Sequence, residues 1–214
     1  VLSKNNQNYF KEKYGRDTIF IPNGVSPAII HTPEIIKEKW SLEKDNYILF
    51  LARIVPEKGV HYLINAWKEV KKKIKTEKKL VIAGGSSHSQ DYFNQIKQLI
   101  NNDSSIIMTD FVCGQALQEL YSNAYLYVLP SDIEGMPMSL LEALSYGNQC
   151  LVSNIPENTE VITKDCYTFE KSNVNDLANK LIEILNLNVN THQKFMQVYS
   201  WDDVVNRTLD LYER

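Results

Sequence analysis

Two carboxylates, Glu134 and Glu142, flank the segment Gly135-Met-Pro-Met-Ser-Leu-Leu141. The preceding run Tyr125-Leu-Tyr-Val-Leu-Pro130 reads as a buried strand, and a helix is expected to start near Ser139. A strand, a tight turn and a helix start leave backbone N–H groups facing outward, where they favour an anion. Carboxylates beside them accept hydrogen bonds from hydroxyls. The chemistry this combination suits is the binding of a phosphate-bearing sugar. Gly135 allows close backbone approach, and Pro137 suits a first helical turn. The N–H groups of Met138, Ser139 and Leu140 are expected to be free. Glu142 has two readings, because Ser139-Leu-Leu-Glu142 also fits a capping box. Local sequence leaves ligand contact and cap both open.

Arg53 and Lys58 form a second constellation around Ile54-Val-Pro-Glu57, with Gly59 opening the next helix. An Arg gives a bidentate fork and a Lys a point charge, so the pair suits one phosphate cluster. Two ordinary surface cations are the alternative, and position at a pocket edge favours the functional reading. Ala83-Gly-Gly-Ser-Ser87 follows a strand but has neither dinucleotide-fingerprint nor Walker spacing. Gly84 is read as a turn that keeps the pocket open.

The elements that must position these residues alternate. Strands are expected at 46–54, 80–83, 105–108, 125–129 and 149–153. Helices are expected at 60–74, 92–100, 116–123, 139–146, 174–185 and 201–213. Strands that are apolar on both faces, alternating with amphipathic helices, predict an α/β fold: a parallel sheet covered by helices on both sides. Ligands of such sheets sit beyond the carboxyl ends of the strands. Arg53–Lys58, Gly84–Ser87, Asp110–Val112, Ser131–Ser139 and Asn154–Glu157 should therefore share one edge. Before the first of these strands, 5–14 and 34–40 read as helices and Thr18–Pro22 as an edge strand.

Composition narrows the function. A length of 214 residues with 43% hydrophobic content suits one substantial soluble domain, and a net charge of −3 gives no reason to expect nucleic acid. Cys113, Cys150 and Cys166 are widely spaced and odd in number, which argues against a disulfide framework or zinc site and for a reducing compartment. His31, His61, His88 and His192 form no metal motif and read as surface or packing residues. The lysine run 71–79 lies at a helix C-terminus, where cations suit the dipole. A solvated helix end is the favoured reading and an anionic membrane surface the alternative. No apolar run approaches the ~20 residues of a membrane span.

Taken in order, Ile21-Pro-Asn-Gly-Val25, Leu51-Ala-Arg-Ile-Val-Pro-Glu-Lys-Gly59, Val81-Ile-Ala-Gly-Gly85, Val128-Leu-Pro-Ser131, Glu134-Gly-Met-Pro137 with Glu142, and Tyr199-Ser-Trp201 resemble a known series. It is that of the group 1 (family 4) retaining glycosyltransferases of the GT-B fold. The resemblance covers nearly the whole chain. It implies the C-terminal, donor-binding half: an interdomain linker at 1–25, a Rossmann-like nucleotide-sugar-binding domain at 26–198 and a C-terminal helix at 199–214. The N-terminal acceptor-binding domain would be absent from this chain and act as its partner. Arg53 and Lys58 would hold the donor diphosphate, and their alanine variants would lose transfer without unfolding. Glu134 would face the donor sugar and Glu142 the ribose. The backbone of Gly135, Met136, Pro137, Met138, Ser139 and Leu140 would meet phosphates and sugar. Phe111 and Val112 would lie beside the base, and Gly84 would be among the donor-binding residues. The resemblance further implies a UDP- or GDP-sugar donor, no cofactor and no required metal. It also implies a cytoplasmic location, with peripheral association of the parent protein at the inner membrane face. It favours a front-face route, leaving open a nucleophilic Glu134. An inactive binding module and a nucleotide-sugar epimerase are the other readings. Thr163-Lys-Asp-Cys-Tyr-Thr168 stands where the family often has an Asp-Gly and a further Gly.

Overall fold

The computed structural model describes residues 1–87, 89–187 and 199–213; His88 and His192 lie outside them. Among the described residues the strands are β1 (Tyr47–Leu51), β2 (Lys79–Ala83), β3 (Ile106–Asp110), β4 (Leu126–Leu129), β5 (Cys150–Ser153) and β6 (Tyr167–Phe169). They form one sheet in the order β3-β2-β1-β4-β5-β6, every neighbour parallel. The helices are α1 (Lys4–Tyr14), α2 (Ile35–Trp40), α3 (Val60–Lys73), α4 (Gln90–Ile100), α5 (Gly114–Asn123), α6 (Met138–Ser145), α7 (Pro156–Thr159), α8 (Val174–Asn186) and α9 (Trp201–Tyr212). This is the Rossmann-like α/β fold that the alternating pattern predicts.

Burial on both faces follows from the strand sequences. In β1, Ile48 and Phe50 join one core with Leu63, Trp67 and Val70 of α3, Phe93 and Ile96 of α4, and Leu177 and Leu181 of α8. Tyr47 and Leu49 point the other way, toward Ile36 of α2, Leu120 of α5 and Leu140 and Leu144 of α6. β4 repeats the split, with Leu126 and Val128 on one side and Tyr127 and Leu129 on the other. Successive strand side chains alternate faces, so only strands apolar at every position can sit in the middle of such a sheet.

The sheet order reverses between β1 and β4. That switch point opens a crevice beyond the carboxyl ends of these two strands. Arg53 and Lys58 follow β1; Glu134 and the start of α6 follow β4.

Two local expectations change, and the helix expected at 5–14 forms as α1. Thr18–Pro22 forms no strand; the nearby sheet-like contact is an isolated bridge between Val25 and Ser200. The divergent stretch around Cys166 leads into β6, a three-residue strand too short to show periodicity. Residues 1–25 include a docked helix: Ser3 caps α1 through Asn6 N–H, and the Glu160 carboxylate accepts from the N–H groups of Lys4 (3.0 Å) and Asn5 (2.8 Å). The carboxylate sits where a helix start has unsatisfied donors. At the other end of the chain, Ser200 and Asp203 form a capping box on α9.

The cysteines are free. His31 pairs with Gln118 at 2.9 Å and His61 with Tyr92 at 2.6 Å. In the lysine run, Lys72 pairs with Glu69 at 2.7 Å and Lys71 donates to the Thr76 carbonyl at 2.8 Å, as at a solvated helix end. No helix among the described residues is long and apolar enough to cross a membrane.

Candidate functional site

The two loops beyond β1 and β4 are stitched together by backbone. After β1 the chain makes a 3-10 turn at Pro56–Lys58 and ends it at Gly59, with φ +69°. A Cβ on Gly59 would lie 2.0 Å from the Pro130 carbonyl oxygen at the end of β4. Only glycine allows both that approach and that φ without strain. The Glu57 carbonyl accepts from Asp132 N–H at 2.8 Å. These contacts bring Lys58 against Glu134: its Nζ lies 2.6 Å from each carboxylate oxygen. The Glu134 side chain is 4% exposed and that of Lys58 17%. Ser131 Oγ donates to Glu134 Oε1 at 2.7 Å.

Lys58 and Glu134, which the sequence places at one sheet edge, are therefore in direct contact. Yet the pair retains ligand-binding capacity. An ammonium has three donors and Lys58 uses two here. A carboxylate has about four acceptor positions and three are filled. One proton on Lys58 and one lone pair on Glu134 remain.

The start of α6 differs from expectation in three ways. The helix begins at Met138, and Pro137 occupies the N-cap with no side-chain cap bond. Ser139 is already inside the first turn, so the capping box with Glu142 does not form. Leu140 N–H is not free but donates to the Pro137 carbonyl at 3.1 Å. Met138 and Ser139 N–H have no partner among the described residues and keep the anion-binding character of a helix start. Two side chains of the segment turn inward: Leu140 is fully buried, and Met136 packs with Val25 and Leu141, its sulfur accepting from Asn23 N–H at 3.0 Å. Met136 can meet a ligand only through its backbone, and Leu140, 0% exposed with its N–H already taken, is a core residue and not the donor contact expected of it. Gly135 is exposed, with open space where a Cβ would be.

Glu142 accepts from the Tyr121 hydroxyl at 2.8 Å, and its other oxygen has no partner among the described residues. Burial raises the pKa of Glu142, and the Tyr121 bond works against that shift. Tyr121 also reaches the Ser139 carbonyl at 3.2 Å. The Tyr127 hydroxyl, from β4, is within hydrogen-bond distance of Ser139 Oγ (2.8 Å) and of the Leu51 carbonyl (3.2 Å). Burial pushes both phenols well above their ordinary pKa, so they remain neutral donors. Sequence reasoning missed these tyrosines. The available signal was their position, one in the strand before the Gly-Met-Pro turn and one in the helix before that strand.

Arg53, Gly84, Phe111 and Val112 line one cavity of about 450 Å³, with Leu51, Ala52 and Ser86 among its other walls. Arg53 is exposed, and its guanidinium has no partner among the described residues. Phe111 is 77% exposed. Gly84 has φ +148°, and a Cβ there would lie 1.9 Å from the Ala52 carbonyl oxygen, so this glycine lets the exits of β1 and β2 meet. The cavity wall connects to α6 through Tyr127, which bonds both Leu51 and Ser139. The structure thus gathers Arg53, Gly84, Phe111 and Val112 in one cavity, pairs Lys58 with Glu134, and links Ser139 to Glu142 through Tyr121. A larger depression of about 700 Å³, lined by Lys68, Lys71, Lys72 and Asp103, contains none of these residues. Among the described residues no three His, Cys, Asp or Glu cluster as metal ligands would.

Residues 32–198 match the family model for glycosyl transferases group 1. The chain belongs to this family. An uncharacterised glycosyltransferase of Methanocaldococcus jannaschii is 27% identical over 181 residues, 80% of this chain and 45% of that protein. An Escherichia coli UDP-Gal:alpha-D-GlcNAc-diphosphoundecaprenol alpha-1,3-galactosyltransferase is 28% identical over 210 residues, 90% of this chain and 53% of that protein. The fold is similar to that of an Anabaena protein solved in complex with UDP and glucose, with a TM-score of 0.80 at 18% identity, over 100% of this chain and 61% of the other. The chain spans about half the length of the curated relatives it matches.

Proposed function

We propose that this group 1 domain is the donor-binding half of a retaining, family-4-type glycosyltransferase. It would move a sugar from a nucleotide-diphosphate sugar to a glycan or lipid-linked acceptor in polysaccharide or cell-envelope synthesis. The observation that carries this reading is the Lys58–Glu134 pair beside the open start of α6 at the sheet's switch point. A phosphate and a sugar hydroxyl are the two groups that one spare ammonium proton and one spare carboxylate lone pair can bind together. A UDP-sugar donor is supported by the E. coli relative, which uses UDP-Gal, and by the similar Anabaena fold, solved with UDP and glucose.

In transfer, an acceptor hydroxyl oxygen would form the new bond to the anomeric carbon as the bond to the diphosphate breaks; the electrons of the broken bond go to the leaving oxygen, and a diphosphate oxygen takes up the acceptor's proton. Lys58, the unpartnered Arg53 guanidinium and the N–H groups of Met138 and Ser139 would stabilise that charge. Glu134 orients the sugar and opposes the positive charge developing at the anomeric carbon. Its contacts with Lys58 and Ser131 favour orientation over nucleophilic attack, in line with a front-face route. Glu142, through its free oxygen, receives the ribose hydroxyls. The base lies in the cavity of Gly84, Phe111 and Val112. The acceptor is read by residues outside this chain, and a lipid-linked acceptor would bring the parent protein to the membrane's inner face.

Thermal shift of this chain with UDP-, GDP- and ADP-sugars tests the reading. A ligand at one hundred times its Kd should stabilise the fold by about 2.7 kcal/mol. No shift with any of the three at millimolar concentration would refute it. The epimerase reading would need turnover of the donor sugar without an acceptor.

A further inference from the structure

Glu134 is supported from behind by a buried polar chain that crosses three elements. Ser131 Oγ donates to Glu134 Oε1 at 2.7 Å. The Ser131 carbonyl accepts from Ser153 Oγ, at the end of β5, at 2.5 Å. Asn158 Nδ2, on α7, donates to Ser153 Oγ at 3.0 Å and to the Ser153 carbonyl at 3.2 Å. Ser131, Ser153 and Asn158 are all 0% exposed.

The direction of this chain is fixed by chemistry. A carbonyl only accepts, so the Asn158 amide must present its nitrogen to Ser153. Ser153 Oγ, accepting from Asn158, gives its own proton to the Ser131 carbonyl. The Ser131 hydroxyl gives its proton to the carboxylate. Three buried polar side chains are a poor way to gain stability alone, since apolar groups of the same shape would avoid their desolvation. Asn158 Oδ1 is buried and without a partner among the described residues.

We propose that Ser131 is a positioning residue for Glu134, with Ser153 and Asn158 extending its support into the sheet. Lys58 holds both carboxylate oxygens, but its long side chain can move and carry the carboxylate with it. Ser131 sits on backbone clamped by β5. It fixes Oε1, so that the one remaining lone pair of Glu134 keeps a single direction into the crevice. The sugar-facing role of Glu134 rests on the function proposed above; its positioning by Ser131 does not.

The experiment has two arms. Crystal structures of the ligand-free wild type, Ser131→Ala and Ser131→Thr should show one Glu134 rotamer in the wild type, more than one in Ser131→Ala, and one again where Thr restores the hydroxyl. A single unchanged rotamer in Ser131→Ala would overturn the proposal. Calorimetric titration with UDP and with UDP-glucose should show Ser131→Ala losing about tenfold in affinity for the sugar nucleotide with UDP unchanged. Equal losses for both ligands would mark a merely structural role and also overturn it. Ser153→Ala, which leaves the Ser131 hydroxyl in place, should move the same ratio in the same direction by less. Absence of any nucleotide binding to the wild-type chain would count against the donor reading alone, and the crystallographic arm would still decide the positioning role.

Discussion

Lys58 Nζ lies 2.6 Å from both carboxylate oxygens of Glu134, joining the loop beyond β1 to the loop beyond β4 in a nearly enclosed ion pair. Removing one partner of such a pair leaves the other charge uncompensated. Lys58→Ala should therefore destabilise the fold by about 3 kcal/mol, so it is not the clean probe of chemistry that its position in sequence suggests. Lys58→Met combined with Glu134→Gln should recover most of that loss while donor affinity stays abolished. Denaturant melts with donor titrations on both singles and the double complete the cycle; additive stability losses would show that the pair is not coupled. Arg53→Ala, at an exposed and unpartnered side chain, should lower activity of the parent enzyme roughly a hundredfold with an unchanged melt.

Glu142 gives a pH signature. Burial raises its pKa in the fold, so the folded chain holds that proton more tightly than the unfolded one. The corresponding stability is fully present below the ordinary carboxyl value of 4.5 and is lost as pH rises through the folded pKa. Glu142→Gln stays neutral and can still accept from Tyr121. It should melt above the wild type at pH 7, with the difference closing below pH 4.5, while nucleotide affinity falls about tenfold. A melting difference that does not change with pH would contradict the assignment.

Gly59 and Gly84 test the stitching of the loops. Each has positive φ, and an added Cβ would overlap a carbonyl oxygen, that of Pro130 or Ala52. Either alanine variant should lose at least about 2 kcal/mol from strain, before the displacement is counted. Gly135→Ala, with open space at its Cβ, is the control and should fold normally. Urea melts of the three variants make the comparison.

Cys166 should be unusually reactive. The neighbouring Cys150 thiol bonds to it and, against the effect of burial, brings its pKa down to about 6. Burial pushes Cys150 itself well up. Alkylation of Cys166 by iodoacetamide should therefore rise with a midpoint near pH 6 and level off by neutral pH, with Cys150 unmodified. Peptide mapping after timed alkylation from pH 5 to 9 reads both sites; a Cys166 rate still climbing steeply above pH 8 would contradict it.

Much of the architecture was legible in residue order. Apolar runs such as Tyr47–Leu51 and Leu126–Leu129, alternating with stripes such as that of α3, specify a parallel sheet because only strands buried on both faces carry such runs. That in turn placed Arg53, Lys58, Gly84 and Glu134 at one sheet edge. Short or irregular pieces were not legible. β6 is three residues long, and Thr18–Pro22 has strand-like composition but joins no strand among the described residues, its Ile19 and Ile21 backbone bonding to Val1.

The sequence by itself determined the residue types beyond each strand and hence the class of ligand they suit. Only the tertiary structure decided how those residues share their hydrogen bonds. The Ser139–Glu142 spacing fits a cap, but Pro137 takes the N-cap and Tyr121 takes Glu142. Lys58 and Glu134 read as separate ligand contacts, but Gly59 against Pro130 forces them together. A one-dimensional spacing reports which groups a segment offers. The partner that claims each group comes from another strand or helix, and that pairing exists only once the sheet has closed.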